Sequence, residues 1–522
     1  MPAVPRVLIE IGASLLSARA AMRLRSAPEP ARQQENVFHS LIQNLSRGSA
    51  WWGAGIAPGM AYESFRKIVP ITRHEGHAPQ IARMMRGEPD VLWPGCCQIY
   101  ANTAGTTAHP KQVPVTEAML DHFRRAYLDS LLWYTVRARR TTVFRGRHLV
   151  LGASTALTRI TESEPFEAYV GDMSAIAALN LPRWAEAAFR EPIPEVGQIA
   201  DWEQKLAAIA EGAPGKDITL LSGMPRWALA LAQAIRASGV ANLKEIWPNL
   251  ECYMHGGVPV GPFQDALREV LGPGVAFQEI YVAPEAFIAA QDAEASEGLR
   301  LMTDAGVFYE FLPMSEFEEA RLPSLGTKAV PISGVRTGVD YALVLTTAAG
   351  LARYLLGDIV RFVSTRPARI VHVGRTNLRL NAFGENVNER DVTEALLSVC
   401  RRNAWTIVNF HVAPFFSDIV SRTSRGRHEW WVELQAGTLL TPTGPVIAPE
   451  IDMELIKLNA GYAAKRASGA LEAPFVRLVM PGVFEHWMRF NGKWGGSHKM
   501  PRCRSDRAIA DDLGGALQFA KD

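Results

Sequence analysis

The stretch Gly105-Thr106-Thr107-Ala108-His109-Pro110-Lys111 constrains this chain more than any other. It lies between the apolar run Cys96-Cys97-Gln98-Ile99-Tyr100, which reads as a strand, and a helix-like run from Val115. A glycine, two hydroxyls and a lysine between strand and helix are the parts of a phosphate cradle. Backbone N–H groups and hydroxyls can wrap an anion, and the lysine adds charge. It is not a Walker A loop. Gly105 and Lys111 have the right separation, but Pro110 replaces the second glycine and Gln112 replaces Ser/Thr. Small and hydroxyl residues also make ordinary turns, so the loop decides nothing alone.

A chain of 522 residues should form two or more domains. A net charge of +2 gives no global footprint for nucleic acid. The basic cluster Arg137, Arg139, Arg140, Arg145 and Arg147 has no interleaved aromatic platform and reads as a solvated face. Cys96, Cys97, Cys252, Cys400 and Cys503 form no disulfide framework and no metal-ligand spacing; they fit a reducing, cytoplasmic setting. Val7 to Met22 is mostly apolar, but Glu10 and Arg19 interrupt it. It is too short and too charged to cross a bilayer and reads as a helix packed on the main domain, so no stable membrane association is expected. Nothing demands an oligomer, and a monomer is expected. His74-Glu75-Gly76-His77 is like a zinc-protease helix, but its histidines are three apart instead of four, and Gly76 and Pro79 spoil a helix.

Arg23 to Gln34, rich in Pro, Ala and Arg, reads as a connector before a helix over Glu35 to Ser46. Val115 to Trp133 carries one apolar face at Val115, Met119, Leu120, Phe123, Tyr127, Leu131 and Leu132. Strands are expected at His148–Ala153, Asp217–Ser222 and Val275–Val282, with a helix opening at Pro225-Arg226-Trp227. Tyr341–Thr347 and Arg353–Val363 read as a hairpin with Gly350 in its turn, followed by a strand at Ile370–Val373. Texture then changes: helices at Glu389–Arg401 and Asp452–Arg466, strands at Glu429–Leu434 and Phe475–Val479. The pattern predicts an α/β protein with α+β subdomains. A large N-terminal domain with parallel-rich sheets spans 1–375, and a small, mobile C-terminal α+β domain spans 376–522.

Four more pieces carry chemistry. Tyr281-Val282-Ala283-Pro284-Glu285 puts an aromatic and a carboxylate after a strand, where they could stack a base and hold Mg²⁺. Tyr354-Leu355-Leu356-Gly357-Asp358-Ile359-Val360-Arg361 places an acid after a glycine turn, suited to ribose hydroxyls. Gly374-Arg375-Thr376-Asn377 sits at the domain junction, where an arginine suits a phosphate contact and a hinge. Gly495-Gly496-Ser497-His498-Lys499 is a glycine-rich loop whose lysine can swing against an α-phosphate. Each piece taken alone is as well explained by a core tyrosine, a turn aspartate or a surface loop.

In this order and spacing they resemble the Gretchen Hagen 3 family of acyl acid amido synthetases, within the adenylate-forming superfamily of acyl-CoA synthetases and luciferases. The resemblance covers nearly the whole chain. Thr103-Ala104-Gly105-Thr106-Thr107 is similar to the family's first nucleotide motif, Tyr281–Glu285 to its second, and Tyr354–Arg361 to its third. Ser222-Gly223-Met224-Pro225-Arg226-Trp227, His255-Gly256-Gly257 and Lys499-Met500-Pro501-Arg502 are similar too. Departures are Ala104 and Ala108, where the family favours a hydroxyl and a glycine, Pro284 for its frequent Ser, and Asn377 for the wider superfamily's hinge Asp. Each lost hydroxyl contact could cost ATP binding ~1 kcal/mol.

The resemblance implies ATP, Mg²⁺ and a two-step ligation of a small carboxylic acid to an amino acid. Glu285 and Lys499 would be catalytic, with Glu285 also holding the metal. Thr103, Gly105, Thr106, Thr107, Tyr281, Asp358 and Arg375 would bind the nucleotide. The stretch Tyr253 to Gly257, with Tyr253, Gly256 and Gly257 as substrate-binding residues, would wall the acid together with the helix Val115–Trp133. The same chemistry could serve CoA or a carrier protein as acceptor, and the altered motifs leave a nucleotide-binding pseudoenzyme open.

Overall fold

Parallel strands that are buried on both faces must be covered by helices, and this requirement shapes the N-terminal part of the chain. In a computed structural model, the structure describes residues 5–26, 28–103, 111–160, 166–236, 239–416, 426–435, 443–492 and 500–519. The chain divides into two units, Met1–Leu356 with Arg361–Val371, and Gly357–Val360 with His372–Asp522.

In chain order the strands of the first part are β1 (Ile99–Thr103), β2 (Lys111–Pro114), β3 (Arg147–Val150), β4 (Thr158–Ile160), β5 (Ala168–Gly171), β6 (Arg190–Glu191), β7 (Ile218–Ser222) and β8 (Cys252–Gly256). They continue with β9 (Ala276–Ala283), β10 (Ala286–Ala290), β11 (Leu299–Leu301), β12 (Phe308–Pro313), β13 (Val330–Pro331), β14 (Asp340–Thr346), β15 (Tyr354–Thr365) and β16 (Ala368–Arg375). One sheet has the order β13-β12-β14-β15-β16-β11-β10-β9-β8-β7-β3-β6, and a second has β2-β1-β5-β4. From β9 through β8, β7 and β3 to β6, neighbours run parallel. The β9–β10, β10–β11 and β12–β14 pairs are antiparallel. All five residues of β7 are buried.

The helices that cover this sheet include α1 (Arg6–Arg25), α2 (Pro30–Leu45), α3 (His74–Met85), α4 (Glu117–Ala138), α5 (Pro225–Arg236) and α6 (Gln264–Leu271). Leu149, Leu221 and Tyr253 pack with Leu231 and Ile235 of α5 and Leu267 and Leu271 of α6. On the other face Leu220, Cys252 and Met254 meet Leu131, Leu132 and Tyr134 of α4 and Ala13 and Ala20 of α1. The expected N-terminal helix therefore does pack on the sheet domain, and no helix among the described residues is long and apolar enough to cross a membrane.

Three local expectations fail for physical reasons. The connector over 23–34 is mostly helix: α1 runs to Arg25, and Pro30 opens α2 at a position where a missing N–H costs nothing. Gly76 and Pro79 lie inside α3, because burial of His77, Ile81 and Met84 outweighs the ~3 kcal/mol proline penalty. The lysine-bearing loop does not lead from strand to helix. Thr103 of β1 pairs with Lys111 of β2 in an antiparallel hairpin, and α4 starts later, where the Thr116 hydroxyl accepts from the Met119 N–H.

The second unit is built on β19 (Ile407–Phe416), β20 (Gly426–Leu434) and β21 (Phe475–Val479), with a ribbon of β17 (Arg379–Leu380) and β18 (Val387–Asn388). Helix α7 (Glu389–Arg402) opens with a capping box between Asn388 and Asp391. Its Val392, Leu396 and Val399 pack against Phe410, Val412 and Trp430 of the sheet. The single helix expected over Asp452–Arg466 is two, α8 (Gly444–Leu458) and α9 (Ala460–Ala467). Asn459 ends the first and caps the second by accepting from the Tyr462 N–H, a local bond that competes with helix continuation.

Candidate active site

Ligands in open α/β sheets bind at the carboxyl ends of parallel strands. In the first unit β7 ends in Ser222-Gly223, β8 in His255-Gly256-Gly257 and β9 in Tyr281-Val282-Ala283. The structure thus brings Tyr281, Gly256 and Gly257 to one edge. Gly256 lies in register with Ile280, and a Cβ there would stand 2.4 Å from the Ile280 carbonyl oxygen, so only glycine fits. Gly257 has φ 83°, a left-handed conformation.

Tyr253 is fully buried, and its hydroxyl donates to the Gly223 carbonyl at 3.0 Å. It faces the α5–α6 side of the sheet. The β8 side chains toward α4 are Cys252 and Met254.

Glu285 stands in the tight turn between β9 and β10, where Ala283 and Ala286 pair. Pro284 fits the first corner of such a turn, since its ring pre-sets φ near −65°. The Glu285 side chain is 4% exposed and accepts a 3.0 Å hydrogen bond from the Tyr354 hydroxyl. Burial first, and then the Glu285 carboxylate, push the Tyr354 phenol well above its ordinary range, so it stays protonated and donates.

Tyr354 is itself pinned from both sides. The Leu355 N–H donates to the Thr72 carbonyl at 2.8 Å, and the Thr72 N–H donates to the Arg353 carbonyl at 3.2 Å. Arg353, at φ 50°, turns its guanidinium inward. Its Nε and Nη2 reach Glu310 at 2.9 and 2.7 Å, and the remaining donors reach the carbonyls of Arg66, Val69 and Gly326. In the sequence, Tyr354 and Arg353 stand out only as strand residues, and Glu310 only as part of the family-like stretch Phe308-Tyr309-Glu310-Phe311, none with a role of its own. The signal of Arg353 and Glu310 was weak, an isolated arginine and glutamate in apolar strands.

In the second unit, Asp358 follows Gly357, whose φ is 90°. Asp358 is 8% exposed. Its Oδ1 is 2.9 Å from Arg375 Nε and its Oδ2 is 3.8 Å from His372 Nε2. The Thr376 N–H donates to the Gly357 carbonyl at 2.7 Å, tying the expected hinge segment to the strand that carries Asp358. His372 was read only as a strand residue.

Gly105, Thr106, Thr107 and Lys499 lie outside the described residues. Thr103 ends β1, and Lys111 Nζ is 2.7 Å from Glu75, so that ammonium is held by a carboxylate rather than offered to an anion. After Lys499, Met500 and Cys503 are buried. The Val412 N–H donates to the Arg502 carbonyl at 2.9 Å, and the Arg504 N–H donates to the Val412 carbonyl at 3.1 Å.

No cluster of three or more His, Cys, Asp or Glu that could hold a metal occurs among the described residues. A lone buried carboxylate such as Glu285 fits a cation that takes most of its ligands from water and substrate phosphates, as Mg²⁺ does.

A two-unit α/β chain with a carboxylate turn after the parallel strands has the architecture of the adenylate-forming enzymes, and solved structures share it. An AtGH3.15 acyl acid amido synthetase in complex with 2,4-DB matches with a TM-score of 0.76 at 16% identity, covering 96% of this chain and 96% of that one. A 2-hydroxyisobutyryl-CoA ligase in its postadenylation state matches with a TM-score of 0.57 at 15% identity, over 94% and 91% of the two chains. The sequence matches the GH3 family N-terminal domain over residues 24–275, the central domain over 300–375 and the C-terminal domain over 390–508. A probable indole-3-acetic acid-amido synthetase GH3.1 from Oryza sativa subsp. japonica is 23% identical, covering 87% of this chain and 84% of its own. The chain belongs to the GH3 family.

Proposed function

We propose that this protein is an ATP-dependent acyl acid amido synthetase. The observation that carries the proposal is the Tyr354–Glu285 hydrogen bond, which fixes a buried carboxylate in the turn after β9 in a chain of this family. In the first step a carboxylate oxygen of the acid forms a bond to the α-phosphorus of ATP, and the bond to pyrophosphate breaks. In the second an amino acid's amine bonds to the activated carbonyl, AMP leaves with the bond electrons, and the amine nitrogen gives up one proton to solvent. Glu285 would hold Mg²⁺ together with the phosphates; when bound, the cation neutralises charge on the phosphate oxygens. Lys499 would add its ammonium to the same charge, as preorganised electrostatic stabilisation requires.

Tyr281 would lie against the adenine, and Asp358, held by Arg375, would accept from ribose hydroxyls. Thr103, Thr106 and Thr107 would cradle the outer phosphates. The second unit would then turn about Arg375–Asn377 between the two steps. The protein would act as a monomer in the cytoplasm.

The test is to incubate the protein with ATP, Mg²⁺, a panel of aryl and alkyl acids and pooled amino acids, and to identify products by mass spectrometry. An N-acyl amino acid with matching AMP supports the proposal. AMP that yields a product only with CoA moves the acceptor from amino acid to thiol. No acid-dependent AMP overturns it.

A further inference from the structure

His255 is 2% exposed, yet its Nδ1 is buried without a hydrogen-bond partner, and no hydrogen bond to either ring nitrogen occurs among the described residues. A buried polar atom left unpaired is unfavourable, and native folds rarely leave one without a reason. The ring does not fill a random gap in the core. It occupies the carboxyl end of β8, directly before Gly256-Gly257, where a ligand crevice is expected.

The Gly223 N–H donates to the carbonyl of Met254 at 3.1 Å, which sets His255 beside the Gly223-Met224 turn that opens α5. Two aromatic rings enclose it. Tyr253 is stacked at 5.5 Å and 29°, and Phe277 meets it edge-on at 5.7 Å. Burial in this box holds the imidazole down to a pKa of about 4, so it is neutral near pH 7. A neutral imidazole offers one donor and one acceptor and no charge. It suits an uncharged polar group better than a carboxylate, for which arginine or lysine is the ordinary partner.

We propose that His255 is a specificity-determining residue that hydrogen-bonds an uncharged polar substituent, a hydroxyl or keto group, on the body of the acyl acid. This rests on the amido synthetase reading and narrows it to acids whose apolar or aromatic body carries such a group. A site built around one substrate hydrogen bond rejects analogues that lack it, because its own buried polar group is then left unpaired.

The test uses the full-length protein and matched pairs of acids, each hydroxy or keto acid beside its unsubstituted parent, with acid-dependent AMP release as the readout. Wild type should favour the substituted member of at least one pair by tenfold or more in kcat/KM. His255→Phe should abolish that preference, bringing kcat/KM for the substituted acid down to that of its parent. His255→Asn, which keeps a donor and an acceptor, should restore part of it. Wild-type activity without preference in any pair overturns the inference and leaves the amido synthetase reading standing. So does an equal loss for both members of a pair in His255→Phe, since His255 would then act on the carboxyl or adenylate they share. Absence of AMP with every acid overturns both. Because the wild-type comparison needs no variant, the inference stays falsifiable even if His255→Phe fails to fold.

Discussion

Two histidines buried in the first unit make a controlled comparison. In His122 both ring nitrogens are occupied: Nδ1–H donates to the Ala305 carbonyl at 2.6 Å, and Nε2 accepts from the Phe287 N–H at 2.9 Å. Those bonds fix its tautomer and tie α4 to β10. His255 is equally buried, equally pushed down to about 4 by burial, and bonded to nothing among the described residues. Burial and a shifted pKa are common to both, so neither separates structure from function. What separates them is whether the fold has already spent their hydrogen bonds. A satisfied polar group is a brace, and an unsatisfied one at a strand's carboxyl end is a place for a ligand.

Acid should strain this comparison most. As pH falls through about 6.5, an unfolded histidine takes up a proton, while these two stay neutral in the folded protein until about 4. The unfolded state then binds more protons, so stability is full above pH 6.5 and is lost on the way to pH 4, at up to ~1.4 kcal/mol per pH unit for each ring. Urea unfolding of the wild type at pH 7, 6, 5 and 4.5 should show that loss. His122→Phe and His255→Phe should each remove a similar share of the slope. An unchanged slope in His255→Phe would mean that ring is already charged when folded, and the likeness between the two would be broken.

Glu310→Ala should come next, costing roughly 3–5 kcal/mol, because it strands the buried Arg353 guanidinium. Here every group is a brace: the Glu310 carboxylate also accepts from the Tyr62 hydroxyl at 2.8 Å. A loss below about 1 kcal/mol in chemical denaturation would show that water reaches the pair.

The first two variants compared with each other give a smaller contrast in stability. His122→Phe leaves the Ala305 carbonyl and the Phe287 N–H unpaired, roughly 2–6 kcal/mol at ~1–3 for each. His255→Phe removes a group with no partner and should shift stability by less than about 1 kcal/mol in either direction. Equal losses would end the argument that hydrogen-bond satisfaction distinguishes them.

The same distinction explains what the amino-acid pattern could reveal. Alternating strands and helices, the β14–β15 hairpin around Gly350 and the short motifs Tyr281–Glu285 and Tyr354–Arg361 are local, and they were readable as such. Tyr281 and the Glu285 turn were located because aromatic, turn and acid are neighbours in the chain. Partnerships across long separations were not readable: Tyr354 with Glu285, Arg353 with Glu310, His372 with Asp358. Each is a pair of ordinary residues until the sheet order brings them together. Lys111 misled for the converse reason. Its place in a glycine-hydroxyl loop suggested an anion, but the β1–β2 hairpin carries it to Glu75 on α3. His255 was legible only as part of the Tyr253–Gly257 wall and not as a residue with a role of its own, since nothing in a sequence reports an unmade hydrogen bond.

Tyr354→Phe tests whether the bracing principle extends into the candidate active site. The phenol is buried and donates to Glu285, so by contact alone it resembles His122. Its partner, however, is the carboxylate proposed to serve the metal, and loss of the donor removes one of the bonds that orient that carboxylate. Stability should drop by only about 1 kcal/mol, the net worth of one hydrogen bond. Acid-dependent pyrophosphate release should fall by roughly tenfold, and the fall should be partly overcome by raised Mg²⁺, because a misaligned ligand weakens metal binding before it alters the reacting atoms. A drop in stability with unchanged magnesium dependence would class Tyr354 with His122, as a brace whose neighbour happens to be Glu285.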